Sequence, residues 1–160
     1  MVFATAVRLL GNAADAEDAA QTVFLRAFER YAQLSGNPAA GGWLKTTARN
    51  VCLNHLSRYR ARWRVFSEMD VDRETGERYE DGLESRVSRA IEPLEEDHFD
   101  RRARLEQAIR RLPDAQRVPL VLFHFEDLGY EDIARTLGVS LAKVKTDIYR
   151  ARQALRRLLT

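Results

Sequence analysis

The sequence predicts an all-α protein: two small helical domains, a helical bundle and a helix-turn-helix, joined by an acidic linker. Three observations predict it. Apolar residues recur at helical three-to-four spacing through both ends of the 160-residue chain, and no stretch has the strict alternation of a strand. Only 4 prolines and 8 glycines interrupt a composition that is 45% hydrophobic and 31% charged, which suits a helix-rich globular chain rather than a disordered one. Between the two periodic ends the periodicity fades and acids dominate.

The elements follow in order. In "VFATAVRLL", Phe3, Ala6, Val7 and Leu10 mark one helical face, and "GN" ends it. "DAEDAAQTVFLRAFERYAQL" places Asp15, Glu17 and Asp18 in a first turn, where carboxylates suit the helix dipole. Its expected apolar stripe is Ala19, Val23, Phe24, Ala27, Phe28 and Tyr31. "SGNPAAGG" (35–42) is a loop by composition. A long helix is expected from about Trp43 to Trp63, burying Leu44, Ala48, Val51, Cys52 and Leu56. From 66 to 100, with Gly76, Gly82 and Pro93 as interruptions, a linker with at most short helical pieces is expected. Four helices follow at about 101–112, 114–126, 130–137 and 141–158. Pro113 and Asp114 read as a helix start, and Pro119 predicts a bend because it lacks an amide donor. The expected domains are therefore 1–65 and 101–160, with 66–100 between them.

The formal net charge of +2 hides a strong segregation. Residues 49–64 carry five arginines and no acid, residues 65–100 thirteen acids against four arginines, and residues 141–160 six basic residues and one acid, Asp147. Basic, acidic, basic points to nucleic-acid contact at two separate places. Cys52 is the only cysteine, which excludes a disulfide framework and a cysteine-based zinc site, and it is expected buried as a small apolar residue. His55, His98 and His124 lack metal-like spacing, and His124, flanked by Phe123 and Phe125, is expected near the core. No metal, cofactor or catalytic residue is expected. No apolar run approaches a membrane span and no signal peptide is visible, so a cytoplasmic protein is expected.

"IARTLGVSLAKVKT" (133–146) has the form of a helix-turn-helix: Ala134 as the small crossing residue, Gly138 as the turn, and Ile133, Leu137, Val139, Val144 and Ile148 as the interior. The second helix then presents Lys143, Lys145, Thr146, Tyr149, Arg150 and Arg152 to a major groove. A carboxylate at Asp147 is unfavourable near phosphates, and Lys143 four residues earlier is its expected partner. Upstream, Lys45, Arg49, Asn50, Asn54, Arg58 and Arg62 form a basic, amide-bearing stripe, and the Gly-Asn-Pro loop before it is suited to an unstacked base. On the residues alone, a solvated basic face, a stand-alone helix-turn-helix regulator of duplex DNA and a nucleic-acid enzyme all stay open. The enzyme is least favoured, because the acids crowd into the aperiodic segment rather than a pocket.

Three segments together resemble a known family. "GNAADAEDAAQTVFLRAFERY", "GGWLKTTARNVCLNHLSRYRAR" and "RLEQAIRRLPDAQRVPLVLFHFEDLGYEDIARTLGVSLAKVKTDIYRARQALRRL" are similar to a bacterial RNA polymerase sigma factor of the sigma-70 family, extracytoplasmic-function (ECF, group 4) class, which keeps only domains σ2 and σ4. The resemblance implies promoter-specific initiation with core RNA polymerase (β′ clamp helices and β flap), promoter DNA, and an anti-sigma factor as partners. It implies polymerase contacts at Asp15, Asp18, Gln21 and Arg26. It assigns the melted −10 element to the loop Leu34, Ser35, Gly36, Asn37 and Pro38 and to Lys45, Thr46, Asn50, Asn54 and Arg58, with Trp43 on the melting helix. The −35 duplex falls to Lys145, Thr146, Tyr149 and Arg150, with Lys143 and Arg152 for phosphates. Two departures stand out: "MVFATAVRLLGN" lacks the turns that usually precede it, and Asp147 replaces an arginine frequent in relatives. No promoter sequence transfers to this chain.

Overall fold

The structure, a computed structural model, describes residues 1–57 and 95–160. The described residues form eight helices: α1 (Val2–Leu10), α2 (Ala13–Glu29), α3 (Tyr31–Leu34), α4 (Ala40–His55), α5 (Glu95–Arg111), α6 (Asp114–His124), α7 (Tyr130–Leu137) and α8 (Leu141–Leu159). Most of the expected acidic linker, the end of the helix expected to reach Trp63, and Arg58 lie outside the described residues.

α1 stops at Gly11, whose φ of 80° is the left-handed conformation a glycine adopts without strain, and whose amide bonds to the Val7 carbonyl. Asn12 then caps α2: its Oδ1 accepts from the Asp15 amide at 2.8 Å while its Nδ2 donates to the Asp15 carboxylate at 2.6 Å. α4 begins at Ala40, so the Ala-Gly-Gly run expected in the loop forms its first turn instead. α5 begins at Glu95, and the last residues assigned to the linker are helical. α6 runs through a fully buried Pro119. α7 ends at Gly138 with φ 68°, the Ser140 hydroxyl caps α8 by accepting from Lys143 N at 3.2 Å, and α7 and α8 pack together as the expected helix-turn-helix.

α1, α2 and α4 pack on one another, and α8 packs on α5, α6 and α7. The two groups share one core, because α1 also packs against α5 and α6. Its sequence explains this double duty. Val2, Ala6, Val7, Leu9 and Leu10 are all buried, so α1 is apolar around most of its circumference and needs cover on two sides. The expected single face through Phe3 is corrected accordingly: Phe3 is 44% exposed, and Val2 and Leu9 are buried instead.

The stripe expected on α2 is corrected as well. Ala16, Ala19, Ala20 and Val23 are buried, but Phe24, Phe28 and Tyr31 are 56%, 79% and 67% exposed. The cause is angle: at about 100° per residue Phe24 and Phe28 turn progressively out of the face that Ala16, Ala20 and Val23 bury, towards the outer side of α2.

Polar contacts finish the seam between the two groups. Arg8 grips the Glu106 carboxylate with Nε 2.9 and 3.0 Å from its oxygens, and its guanidinium carbon lies 4.3 Å from the Phe125 ring centroid. Arg117, 4% exposed, donates to the carbonyls of Leu112 at 2.9 Å and Leu9 at 3.4 Å and to the Asp114 carboxylate at 2.5 Å. A cation at the carbonyl end of α1 also meets the negative end of that helix dipole. Gly11 lies directly over this guanidinium, and a Cβ there would be 2.6 Å from Arg117 Cζ. Thr5 Oγ1 donates to Glu126 Oε1 at 3.2 Å.

Candidate nucleic-acid interface

In the C-terminal group Ile133, Leu137, Val144 and Ile148 are buried, and Ala134 and Val139 are half-buried beside them. This locks α7 against α8 as expected. Lys145, Tyr149 and Arg150 are exposed on the outer face of α8; Thr146 donates its hydroxyl to the Ala142 carbonyl at 2.9 Å. Lys145 also lies 5.9 Å from the Tyr130 ring centroid, and Tyr130 stacks on Phe123 at 4.7 Å.

Two candidates point elsewhere. Lys143 Nζ lies 3.1 Å from the Asp147 carboxylate, with both side chains about nine-tenths buried, so the Asp147 charge is neutralised within α8. Arg152 turns towards α6: Nη2 donates to His124 Nε2 at 3.3 Å, and its guanidinium carbon is 5.7 Å from the Phe123 ring centroid. His124, expected near the core, is instead exposed; partial burial of its ring first, then the Arg152 charge, hold its pKa below the ordinary value of 6.5.

In the N-terminal group the loop after α3 is exposed at Ser35, Gly36, Asn37 and Pro38, with Leu34 half-buried. Gly36 takes φ 70°. The Asn37 amide shapes the loop itself: Oδ1 accepts from the Ala39 amide at 2.9 Å, and Nδ2 donates to the Gln33 carbonyl at 3.4 Å.

α4 divides its candidates between two faces. Trp43, Thr46, Thr47, Asn50 and Asn54 share the outward side, all exposed or half-buried. Lys45 instead faces the corner between α6 and α7, with Nζ 3.6 Å from Asp127. That corner carries Glu126, 6% exposed, whose Oε2 has no hydrogen-bond partner. Burial raises its pKa above the ordinary 4.5, against the pull of Lys45, the Thr5 hydrogen bond and Arg49. Cys52, also buried, has its thiol pushed up to about 12, first by burial and then by the Glu126 charge. It is thus an inert core residue, as expected.

α2 divides its candidates too. Asp18 and Gln21 are exposed on its outer face with Leu25 and Phe28. Asp15 is held by Asn12 and lies 3.5 Å from His55 Nε2. Arg26 lies on the opposite exposed edge, in a cleft of about 380 Å³ with Glu29 and Arg30 of α2 and Trp43, Thr47 and Asn50 of α4. Glu29, Arg30 and Thr47 were not among the residues expected at a site. The available signal was spacing, since Arg30 follows Arg26 by four residues and Thr47 follows Trp43 by four. Among the described residues no group of three or more His, Cys, Asp and Glu side chains is placed to hold a metal, and no helix is long and apolar enough to cross a membrane.

Along the chain a helical unit with an amide-and-aromatic face precedes a helix-turn-helix unit with a basic outer face, and two family models match in that order. Sigma-70 region 2 matches residues 1–63, and Sigma-70, region 4 matches residues 102–155. The class is that of the sigma-70 factors. RNA polymerase sigma-H factor of Pseudomonas aeruginosa is 33% identical over 96% of this chain and 77% of its own length. ECF RNA polymerase sigma factor SigW of Bacillus subtilis is 28% identical over 99% of this chain and 82% of its length. ECF RNA polymerase sigma factor SigE of Mycolicibacterium smegmatis is 36% identical, though the chain spans only 56% of it. Among solved structures, the sigma factor RpoE of Bartonella quintana, crystallised with the anti-sigma factor NepR, matches with a TM-score of 0.51 and 27% identity over 99% of this chain and 89% of that one. The chain belongs to the extracytoplasmic-function sigma factors of the sigma-70 family.

Proposed function

We propose that this sigma factor binds core RNA polymerase and selects promoters by reading the −35 element as duplex with α8 and the −10 element as it melts with α4 and the loop at 34–38. One observation carries the reading: α8 and α4 each present an exposed face of DNA-compatible side chains, Lys145, Tyr149 and Arg150 on one and Trp43, Thr46, Asn50 and Asn54 on the other, on separately matched regions of one chain. A regulator of duplex DNA alone has no use for the second face.

Division of labour follows from chemistry. Cationic and hydroxyl groups on α8 suit phosphates and base edges in a major groove. Amides and an indole on α4 suit unpaired bases, whose capture favours the open over the closed promoter. Polymerase supplies the bond-making, so no catalytic residue, metal or cofactor is required here. The outer face of α2, with Asp18, Gln21, Leu25 and Phe28, is the surface for the β′ clamp helices, and the helix-turn-helix unit meets the β flap. Asp15 acts chiefly as part of the α2 cap. An anti-sigma factor is the expected regulator, in keeping with the partner of the Bartonella relative, and the site of action is the cytoplasm.

Run-off transcription with sigma-free core polymerase on fragmented DNA of the source genome tests this reading. Protein-dependent transcripts sharing two upstream elements are expected. Duplex binding without any polymerase-dependent transcript would instead favour a stand-alone regulator.

A further inference from the structure

One acid stands among the six basic residues of 141–160, and it is not at the surface. Asp147 is buried on α8 beside Val144, Ile148 and Ala151. Its carboxylate draws in Lys143 from the preceding turn. Lys143 Nζ lies 3.1 Å from Oδ2 and 3.4 Å from Oδ1, with both side chains about nine-tenths buried. Its place on the helix would otherwise turn this lysine outward. Lys143 and Arg150 stand seven residues apart, two turns along the same flank of α8, and Arg150 is exposed there. Lys143 is also in the first turn, next to the Ser140 cap, and the N-terminal residues of the second helix of such a unit lie nearest to DNA.

Helix stability does not account for the pair. A lysine four residues before an acid is the weaker order of an i, i+4 pair, and a cation in the first turn faces the positive end of the helix dipole. Burying two charges also costs solvation that an apolar pair of similar size would not lose. What the pair does change is the charge presented to DNA. An outward ammonium on this flank would neutralise a phosphate and release its counterion, whereas one already matched to a carboxylate releases none.

We infer that Asp147 keeps Lys143 off the DNA backbone, so that α8 grips duplex with one phosphate contact fewer than its basic residues offer. The inference rests on the reading of α8 as the duplex-binding helix and sets how tightly that helix holds. Asp147 touches no DNA itself; it is a positioning residue that acts through Lys143. One phosphate contact is worth about eightfold in affinity at about 0.1 M salt, and a backbone contact adds the same to every sequence. Withholding it loosens the hold on non-promoter DNA, which vastly outnumbers promoters. Selection is left to the outer face of Lys145, Tyr149 and Arg150.

The test is fluorescence anisotropy of the full chain on two labelled duplexes of unrelated sequence, each of about 20 base pairs or two helical turns, across a range of salt. Asp147→Asn keeps the shape of the side chain and removes its charge. An ammonium left unmatched in the interior swings out on its flexible stem. This variant is expected to bind both duplexes about eightfold more tightly at about 0.1 M salt, with the slope of log affinity against log salt steeper by about 0.9. Asp147→Asn combined with Lys143→Gln restores the wild-type net charge and puts two amides in place of the ion pair. It is expected to match wild type in affinity and slope. Circular dichroism confirms that each variant is folded.

An unchanged slope in the single variant overturns the inference. So does a double variant that binds more weakly than wild type with a slope shallower by about 0.9, because Lys143 then already touches a phosphate beside its partner. This second comparison decides the matter even where the single variant is unstable. A gain on only one of the two duplexes replaces the backbone assignment by a base contact and overturns it too. Capture of core polymerase separates the inference from the sigma-factor reading. Wild type that captures none, with the slopes as expected, sinks that reading and leaves Asp147 in its role; capture with unmoved slopes does the reverse.

Discussion

Glu126 shows how one side chain sets a pH dependence. Its carboxyl is buried with one oxygen unpartnered, and its pKa in the folded chain lies above the ordinary 4.5. The protonated acid is the form the fold prefers. Whatever stability that preference contributes is present below about pH 4.5 and is lost as pH rises through the raised value. Glu126→Gln keeps an oxygen for the Thr5 hydroxyl and removes the buried charge. It is expected to stabilise the protein by about 1 kcal/mol at pH 7.5 and to change little at pH 4; Lys45 and Arg49 limit the gain. Urea midpoints at the two pH values check this, and a variant less stable than wild type at pH 7.5 would refute it. Arg117 presents the opposite case, a buried charge fully engaged by two carbonyls and a carboxylate. Arg117→Ala strands those acceptors and is expected to cost about 2–3 kcal/mol, read as a lower urea midpoint.

At the scale of the element, the helices were legible where local signals agree with tertiary context. α7 runs from Tyr130 to Leu137 as the periodicity and Gly138 predict, and α8 starts at its Ser140 cap. Faces were less legible than elements. Phe24, Phe28 and Tyr31 have the spacing of a buried stripe, yet the face that packs is the narrower one of Ala16, Ala19, Ala20 and Val23, and which face the neighbouring helices cover is not encoded by spacing within α2. Lys45 likewise sits one residue from Thr46 in sequence but is drawn to Asp127, in the corner between α6 and α7. The candidate contacts therefore separate in space more than they do in sequence. α2 is the clearest instance, and it yields a prediction. Gln21→Ala with Phe28→Ser alters only its outer face, so it is expected to weaken capture of core polymerase at least tenfold while leaving duplex binding by α8 unchanged. Pull-down and gel-shift assays on the same preparation read the two activities, and parallel losses in both would argue against separate surfaces.

For the whole molecule, the consequential feature is that the two sequence-matched regions share one core. The charge pattern, basic at either end and acidic between, suggested two bodies on a tether; it did not reveal that α1 needs cover on two sides or that Arg8, Thr5 and Lys45 have partners beyond residue 105. Those contacts are long-range pairings of single polar residues, which no periodicity marks. They are also of the kind that can part without unfolding either group, since each keeps its own helix contacts. Cys52 reports on such an opening, because Glu126, whose charge is the second cause of its raised pKa, lies in the facing group. A thiol near 12 is almost wholly protonated at pH 8 and alkylates slowly; a thiol that loses the Glu126 charge shifts back towards 9 and reacts faster. Arg8→Ala removes the paired hydrogen bonds to Glu106 and the contact with Phe125, and a loss of about 1.4 kcal/mol from the seam raises the open fraction about tenfold. The expected result is a similar rise in the iodoacetamide reaction rate at pH 8, with the helical circular dichroism signal unchanged. The measurement is unambiguous in origin, because Cys52 is the only cysteine in the chain. An unchanged rate would mean that α1 holds the groups together through its apolar contacts with α5 and α6, the polar seam adding direction rather than strength.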